Sequence, residues 1–257
     1  MSCLNLFDIS SRVALVTGGS KGLGKSMARA LALAGADVVI SSRHQDELES
    51  ALPDILAGTD RRGIAIVADL SKREEAERLA KAAIEKLGRI DILVNNAGTN
   101  IPQPIDHVED EDWNRILALN LSACMALTRT LVPPMKQRRW GRIIHISSVL
   151  GLGSKAGRSS YSATKAGLIG LAQGSALDLG QFGITVNCIA PGPFLTDLAK
   201  SLHPPADRQP FSDRTALGRW GDPDEMMGPI LLLASDAGSY ITGTVLVVDG
   251  GVMAHTL

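Results

Sequence analysis

Cysteine is scarce in this 257-residue chain, and the three residues present, Cys3, Cys124 and Cys188, lie far apart. An odd number of widely spaced cysteines is typical of a protein from a reducing compartment, and it argues against a disulfide framework or a zinc site. We therefore expect no metal site and a cytoplasmic protein.

Excess charge of either sign is also missing, since the formal net charge is −1 at pH 7. Such a chain has no overall attraction for nucleic acid or for an anionic membrane. The basic segment KQRRWGR (136–142) lies where a helix is expected to end, and cations there complement the helix dipole. We expect no nucleic-acid partner.

Long hydrophobic runs are absent as well. The longest runs, such as ILLLA at 230–234, are too short to span a bilayer. The first twelve residues lack the basic and then apolar regions of a signal peptide. The sequence has no evident internal repeat or linker, so we expect one domain over 1–257. Because the apolar runs are short, we also expect no membrane partner.

The chain does have a regular alternation of short β-branched runs and longer helical patterns. Nearly continuous apolar runs are typical of strands covered on both faces. The predicted strands are 13–17, 37–41, 63–68, 91–95, 142–147, 185–190 and 244–249. Helices between them predict a single α/β domain, with a Rossmann-like, doubly wound, seven-stranded parallel sheet and helices on both faces.

Two further segments carry local signals. In 71–88, Ser71 is the predicted N-cap, Glu74 would complete a capping box, and Gly88 would end the helix.

The segment 193–221 is rich in proline and charge and has weak periodicity. We expect it to leave the sheet as a substrate loop, forming a mobile lid.

A glycine-rich loop, TGGSKGLG at 17–24, joins the first strand to a helical pattern. Gly18, Gly22 and Gly24 let the backbone turn tightly and approach a pyrophosphate, which a helix N-terminus attracts. The spacing differs from the usual G-x-G-x-x-G, and glycines also mark ordinary loops. The strand–loop–helix context nevertheless favours a dinucleotide site.

The second strand ends in Ser42 and Arg43, about twenty residues beyond that loop, where NAD-binding proteins place an acidic residue. A carboxylate would repel the 2′-phosphate of NADP, whereas a serine leaves room and an arginine can pair with it. Lys21 adds a second cation. We expect NADP, with NAD as the alternative; Arg43 could also simply begin the next helix as a solvated residue.

Tyr161 and Lys165 of YSATK lie four residues apart, on one face of a predicted helix. A free tyrosine has a pKa of about 10 and relays protons poorly at neutral pH. A neighbouring ammonium favours the phenolate form, so the pair can act as a general acid or base. The alternative is an amphipathic pair on a helix surface.

Six motifs in order resemble those of short-chain dehydrogenases/reductases, over about residues 12–251. They are TGGSKGLG (17–24), NNAG (95–98), Asn120 in ALNLS, the serine of HISS (145–148), YSATK (161–165) and APGPFLTD (190–197). The resemblance implies an oxidoreductase that interconverts a secondary alcohol and a ketone by hydride transfer.

The resemblance also implies four catalytic residues. Tyr161 would exchange the proton, Lys165 would also hold the nicotinamide ribose, and Ser148 would orient the substrate oxygen. Adjacent strand residues face opposite ways, so only one of Ser147 and Ser148 can point into a given cleft, and the family spacing selects Ser148. Asn120 would kink its helix and extend a proton relay through a water and Lys165; the alternative is a helix cap.

The cofactor site implied by the resemblance combines the glycine loop with the ends of several strands. Asp69 would lie beside the adenine ring, Thr196 would contact the carboxamide, and Ile189 would pack on the nicotinamide. The cofactor-binding candidates are Gly18, Ser20, Lys21, Gly22, Leu23, Gly24, Ser42, Arg43, Asp69, Leu70, Asn96, Ala97, Gly98, Tyr161, Lys165, Pro191, Gly192 and Thr196.

Two subgroups are the nearest by resemblance, the gluconate 5-dehydrogenase type and the 3-oxoacyl-carrier-protein reductase type. Leu177 stands where many carrier-protein reductases have an arginine, which disfavours a carrier protein. The segments 99–104 and 151–160 are polar with few aromatics, which favours a small polar hydroxy compound such as a sugar acid. The candidates for binding a substrate carboxylate are Lys155, Arg158 and Arg219.

Two other classes compete with a simple dehydrogenase. A non-catalytic NADP-binding regulator is disfavoured because all four catalytic positions are present. An epimerase or dehydratase of the extended relatives would usually carry a longer C-terminal substrate domain. Broad apolar faces expected on helices around 110–138 and 155–182 predict a homotetramer.

Overall fold

The computed structural model describes residues 3–202 and 209–254. Its strands are β1 (Val13–Thr17), β2 (Asp37–Ser42), β3 (Gly63–Val67), β4 (Ile92–Asn95), β5 (Gly141–Ile146), β6 (Ile184–Pro191) and β7 (Val245–Val248). They form one parallel sheet in the order β3-β2-β1-β4-β5-β6-β7. The predicted fold is confirmed, and every strand boundary lies within one residue of its prediction.

Helices cover both faces of the sheet. Those within the described residues are α1 (Gly22–Leu33), α2 (Gln45–Leu56), α3 (Arg73–Leu87), α4 (Asp110–Leu117), α5 (Ala123–Arg138), α6 (Ser159–Leu179), α7 (Asp197–Leu202), α8 (Gln209–Ser212) and α9 (Met227–Ala234). A π-helical segment, Ala118–Ser122, joins α4 to α5.

The core consists of two apolar layers, one on each face of the sheet. All five residues of β1 are buried, and they alternate between the layers, with Leu15 on one side and Val16 on the other. The layer around Leu15 packs against α3, α5 and α6, and the layer around Val16 against α1, α2 and α9. Burial on both faces explains why the strands are continuously apolar rather than alternating.

The predicted start of α3 is wrong by one residue. The helix begins at Arg73 with Lys72 at its N-cap position, and no side chain caps it. The Ser71 hydroxyl instead donates to the Asp69 carboxylate at 2.7 Å, so it is not available for a capping box. The predicted end is confirmed, because Gly88 has a φ of +80° and its N–H donates to the Ile84 carbonyl.

The continuous helical stretch Asp110–Arg138 is the one helix within the described residues that is long and apolar enough to cross a membrane. By length and composition, the core helix of a globular protein meets the same criterion. Here 44% of its most apolar window is buried inside the protein, where α5 packs against α3 and β5.

The predicted substrate loop leaves the sheet after β6, and its two ends pair with each other outside the sheet. Backbone hydrogen bonds join Leu195 to Gly221 and Gly221 to Pro193, both at 2.9 Å. Phe194 and Trp220 are buried beside this junction. The part of the loop at 203–208 lies outside the described residues, and its predicted mobility stays a prediction.

Candidate active site

A cavity of about 860 Å³ opens at the carboxyl ends of the strands, where the strand order reverses between β1 and β4. This edge is where open α/β sheets bind their ligands, because the loops leaving β1 and β4 diverge there. The cavity is lined by every predicted cofactor residue except Asp69 and by three of the four predicted catalytic residues, Ser148, Tyr161 and Lys165.

The glycine loop has the backbone geometry that close approach of a pyrophosphate requires. Gly18 has a φ of +61°, and a Cβ at Gly24 would lie 2.1 Å from the Gly18 carbonyl oxygen. The Asn96 amide holds the loop in place by donating to the carbonyls of Thr17 and Gly18 at 2.9 and 3.1 Å. No side chain caps α1, so its first N–H groups are available to a phosphate, and the loop fits a dinucleotide.

The end of β2, where NAD-binding proteins place an acidic residue, presents no carboxylate to the cavity. The Ser42 hydroxyl donates to the His44 carbonyl at 3.1 Å and accepts from the His44 N–H at 3.2 Å, which fixes the turn into α2. Arg43 lines the cavity beside it. Lys21 lines the same end, at the N-cap position of α1.

Glu47, which sequence reasoning missed, also lies at this end of the cavity. Its carboxylate accepts from the Lys21 ammonium at 2.9 Å and from the Ser20 hydroxyl at 3.0 Å. The hydrogen bond from Lys21 is the main cause that lowers the pKa of Glu47. No local signal could have found Glu47, because its partners Ser20 and Lys21 lie 27 and 26 residues away in the glycine loop.

Two residues predicted to touch the cofactor lie away from the cavity wall. Asp69 accepts from the backbone and hydroxyl of Ser71, whose hydrogen bonds lower its pKa, and it does not line the cavity; its neighbour Leu70 does. Ile189 is fully buried in the core beneath the cavity. An adenine contact for Asp69 stays a prediction.

Tyr161 and Lys165 occupy successive turns at the start of α6. The Lys165 ammonium lies 5.5 Å from the centroid of the Tyr161 ring and donates to the Ile146 carbonyl at the end of β5, at 2.7 Å. Lys165 is only 4% exposed, so its charge is poorly screened by water. The structure therefore sets a buried cation beside the phenol, as the spacing predicts.

The two serines after β5 have different environments. The Ser147 hydroxyl donates to the Lys165 carbonyl at 2.7 Å and so ties β5 to α6. The Ser148 hydroxyl accepts from the Leu150 N–H at 3.1 Å, which leaves its own hydrogen free to donate into the cavity. Of the two hydroxyls, only that of Ser148 can bind a substrate oxygen without breaking an internal bond.

Asn120 lies within the π-helical segment and is completely buried. Its amide accepts from the Thr99 N–H and donates to the Thr99 carbonyl, each at 2.9 Å, and donates to the Thr164 hydroxyl at 3.2 Å. The helix is irregular at Asn120 in the form of this π-helical segment, and the helix-cap alternative is wrong, because helix continues on both sides. With the amide occupied, the relay would have to use the backbone carbonyl of Asn120, which accepts from the Cys124 thiol at 3.4 Å and has a second lone pair.

The nicotinamide end of the predicted site follows β6. Pro191, Gly192 and Thr196 line the cavity there, and the Gly192 N–H donates to the Val248 carbonyl at 2.9 Å. A Cβ at Gly22 would lie 3.3 Å from Thr196, so this loop touches the glycine loop. The segments that would hold the pyrophosphate and the nicotinamide of one cofactor therefore meet.

His145, to which we assign no catalytic role, is fully buried in β5. The Asn95 amide lies 3.0 Å from its Nδ1 atom. Burial lowers the pKa of His145 to about 4, with a smaller effect from the Lys165 charge, so its ring is neutral near pH 7. Across the described residues, no group of three His, Cys, Asp or Glu side chains could hold a metal ion.

Comparison with known proteins matches this geometry to one family. The family described as short chain dehydrogenase matches residues 12–207. A 3-oxoacyl-[acyl-carrier-protein] reductase of Synechocystis sp. is 37% identical over 246 residues, which is 95% of this chain and 98% of the relative.

Two solved structures with bound NADP are also similar. A gluconate 5-dehydrogenase of Burkholderia cenocepacia, in complex with NADP and tartrate, is 32% identical, has a TM-score of 0.93, and aligns over 99% of this chain and 100% of its own. A 3-oxoacyl (acyl-carrier-protein) reductase of Agrobacterium tumefaciens with NADP bound is 32% identical, has a TM-score of 0.92, and aligns over 97% of each chain. The chain therefore belongs to the short-chain dehydrogenase/reductase family of oxidoreductases.

Proposed function

We propose that this oxidoreductase interconverts a secondary alcohol and a ketone of a small polar hydroxy compound, with NADP(H) as cofactor. The observation that carries the proposal is the convergence of Tyr161, Lys165 and Ser148 on one cavity beside the glycine loop. The cavity volume suits a dinucleotide together with a small substrate.

Each residue has a distinct part in the proton chemistry. The Ser148 hydroxyl donates to the substrate oxygen and fixes its position. The Tyr161 hydroxyl gives its proton to that oxygen in reduction and takes it back in oxidation, while the Lys165 charge stabilises the phenolate. Lys165 is anchored by the Ile146 carbonyl, and the Asn120 carbonyl is available to extend the relay. NADP(H), when bound, supplies or accepts the hydride.

Substitution of Tyr161 by Phe tests the mechanism. Removing the hydroxyl leaves the ring in place but eliminates the proton donor, so we expect kcat to fall by a factor of about 10³ or more. The Kd of NADPH, measured by fluorescence titration, should change less than about threefold.

Tyr240→Phe is the matched control, because Tyr240 is fully exposed. It should keep the wild-type rate. A Tyr161→Phe protein that turns over ketones at the wild-type rate would show that another group moves the proton.

Three observations support NADP over NAD. Arg43 and Lys21 line the adenosine end of the cavity, and Ser42 stands where a repelling carboxylate would otherwise be. Both solved structures described above contain NADP. The Glu47–Lys21 pair opposes this preference, so the phosphate must compete with a carboxylate for Lys21.

For the substrate, we favour a sugar acid or a related hydroxy compound. The likeness to a gluconate 5-dehydrogenase supports it, as does the polar wall around Asn100, Ser154 and Lys155. The second candidate is a 3-oxoacyl thioester on a carrier protein, favoured by the 37% identity to the Synechocystis reductase. Leu177, 85% exposed on α6 where many carrier-protein reductases have an arginine, weighs against it.

A panel assay separates the two candidates. Rates with NADPH and NADH are compared for 5-ketogluconate, acetoacetyl thioesters and simple ketones. The proposed substrate class requires a higher kcat/KM for the keto acid than for the thioester. We further propose a cytoplasmic homotetramer that acts on free small molecules and binds neither nucleic acid nor membrane.

A further inference from the structure

The sequence singled out three cations that could bind a substrate carboxylate, and the structure separates them. Arg219 is engaged elsewhere, because its guanidinium donates to both carboxylate oxygens of Glu225 at 2.7 Å. It does not line the cavity, whereas Arg158 and Lys155 do, together with Arg214 from the substrate loop. A cationic cluster thus lies on the wall that contains Tyr161.

Arg158 is the unusual member of this cluster. It is 8% exposed, and its only side-chain hydrogen bond within the described structure is to the Asn100 amide oxygen at 3.3 Å. Within residues 3–202 and 209–254, no carboxylate oxygen lies within 4.0 Å of the Arg158 guanidinium, the distance at which the two would form an ion pair. Burial is the main cause that lowers the pKa of Arg158. A buried guanidinium without a counter-charge is costly and calls for a ligand.

Arg142 shows how this fold treats a buried arginine with a structural role. It is 3% exposed, forms an ion pair with Asp236 at 3.2 Å, and stacks over the Trp140 ring at 4.3 Å. Arg158 has no such carboxylate among the described residues. Its side chain lines the cavity, and the hydrogen-bond partner described for it is the neutral Asn100 amide oxygen.

The neighbours of Arg158 strengthen the local positive potential. Burial, followed by the charges of Arg158 and Arg214, lowers the pKa of Lys155, which shows that the three cations act on one another. The carboxylates among the described cavity-lining residues are Glu47, paired with Lys21, and Asp197 at the start of α7. An anion entering beside Tyr161 would relieve the repulsion among these cations.

We propose that Arg158, supported by Lys155 and Arg214, binds the carboxylate of the substrate, which is a small hydroxy acid or the corresponding oxo acid. Arg158 is the N-cap residue of α6, three residues before Tyr161, and both side chains line the cavity. One small molecule can reach both, with its carboxylate on the guanidinium fork and its reacting oxygen on the phenol.

This inference rests on the proposed function of the same cavity. In oxidation the hydroxy acid loses a hydride to the oxidised nicotinamide and its hydroxyl proton to Tyr161, leaving the oxo acid with its carboxylate unchanged. Because the carboxylate takes no part in the electron balance, Arg158 contributes binding and orientation only. The burial of Arg158 also favours a small anion over the acidic surface of a carrier protein, which could not reach it.

The test measures binding of carboxylates to the protein–NADP⁺ complex by isothermal titration calorimetry. The probes are tartrate, gluconate and 3-hydroxybutyrate, each compared with an uncharged ester or amide of the same skeleton. At least one acid should bind at least about tenfold more tightly than its uncharged counterpart. If none of the three acids binds more tightly than its counterpart, the proposal is wrong.

Three variants locate the effect. Arg158→Gln should weaken binding of the preferred acid by about 10–100-fold without changing the Kd of the uncharged compound or of NADP⁺. Arg158→Lys should recover only part of the loss, because an ammonium lacks the bidentate fork. Arg219→Gln, the matched control, should bind the acid like the wild type. Equal losses for the acid and its uncharged counterpart in Arg158→Gln would show a merely structural role.

Turnover separates this inference from the proposed function. A protein that binds the acid through Arg158 but never reduces NADP⁺ would retain the carboxylate site and lose the proposed reaction. If the wild type oxidises the uncharged ester as efficiently as the acid, and Arg158→Gln keeps the wild-type kcat/KM for both, the proposed reaction stands and the proposed carboxylate site is wrong.

Discussion

Lys21 and Glu47 form an ion pair at the adenosine end of the cavity, where a 2′-phosphate is expected. Both side chains are partly exposed, so water screens the pair and its contribution is small. A phosphate that approaches Lys21 must therefore displace Glu47 or accept its repulsion. Single side chains at this position can shift the balance between NADP and NAD.

Replacing Glu47 by Gln should tighten NADP⁺ binding by about two- to fivefold, because Lys21 is released and one negative charge is removed. Fluorescence titration of both cofactors measures the effect. NAD⁺ affinity should stay the same. Glu49→Gln, which removes an exposed carboxylate two residues further along α2, serves as the control. A large loss of NAD⁺ affinity in Glu47→Gln would instead identify Glu47 as a ribose ligand and NAD as the preferred cofactor.

At the scale of elements, the helix that runs through α4, the π-helical segment and α5 places Asn120. One extra residue per turn at Ala118–Ser122 breaks the regular α-helical hydrogen bonding. This irregularity directs the Asn120 amide to Thr99 in the loop after β4 and to Thr164 on α6. A single side chain thereby joins three elements that converge at the cavity.

Asn120→Ala should lower both stability and rate. Three buried hydrogen bonds are lost, and Thr99 keeps unsatisfied backbone groups, so the free energy of unfolding should fall by about 2–4 kcal/mol. We expect kcat to fall by more than about tenfold, because the loop beside Lys165 loses its anchor.

Urea unfolding and steady-state kinetics measure the two effects. Asn114→Ala, on the exposed face of α4, is the control and should change neither value. A stable Asn120→Ala protein with normal kcat would mean that the π-helical segment does not position the site.

At the scale of the whole molecule, α6 has a face of small and apolar residues that the sheet does not cover. On α6 a stripe of small and apolar residues is exposed; its members are Ala163, Ala166, Gly170, Gly174 and Leu177. Exposed apolar helix faces of this size are typical of subunit interfaces.

We expect a homotetramer with α5 and α6 at its interfaces. Sedimentation velocity at micromolar concentration should show about four times the 27.1 kDa mass of one chain. Leu177→Glu, which would put a charge into the exposed apolar stripe of α6, should shift the distribution to smaller species. Leu217→Glu, at an exposed leucine in the substrate loop, is the control. A wild-type monomer under these conditions would contradict the prediction.

Much of the fold was readable from local chemistry. Continuous apolar runs identified the strands to within one residue, and the glycine loop, Tyr161 and Lys165 indicated the family, because each of these signals lies within a few consecutive residues. The start of α3 could not be read in this way, since Asp69 competed for the Ser71 hydroxyl. Glu47 was missed because its importance depends on a loop 26 residues away.

The sequence by itself determined the parallel sheet and the glycine turn, and it contained the residues that we propose exchange the proton. Only the tertiary structure decided which cations meet. Arg219 became bound to Glu225, while Arg158, Lys155 and Arg214 came together on the cavity wall. The physical reason is that burial and the placement of counter-charges arise from long-range packing. An arginine side chain is therefore a solvated surface charge at one position and can bind a ligand at another.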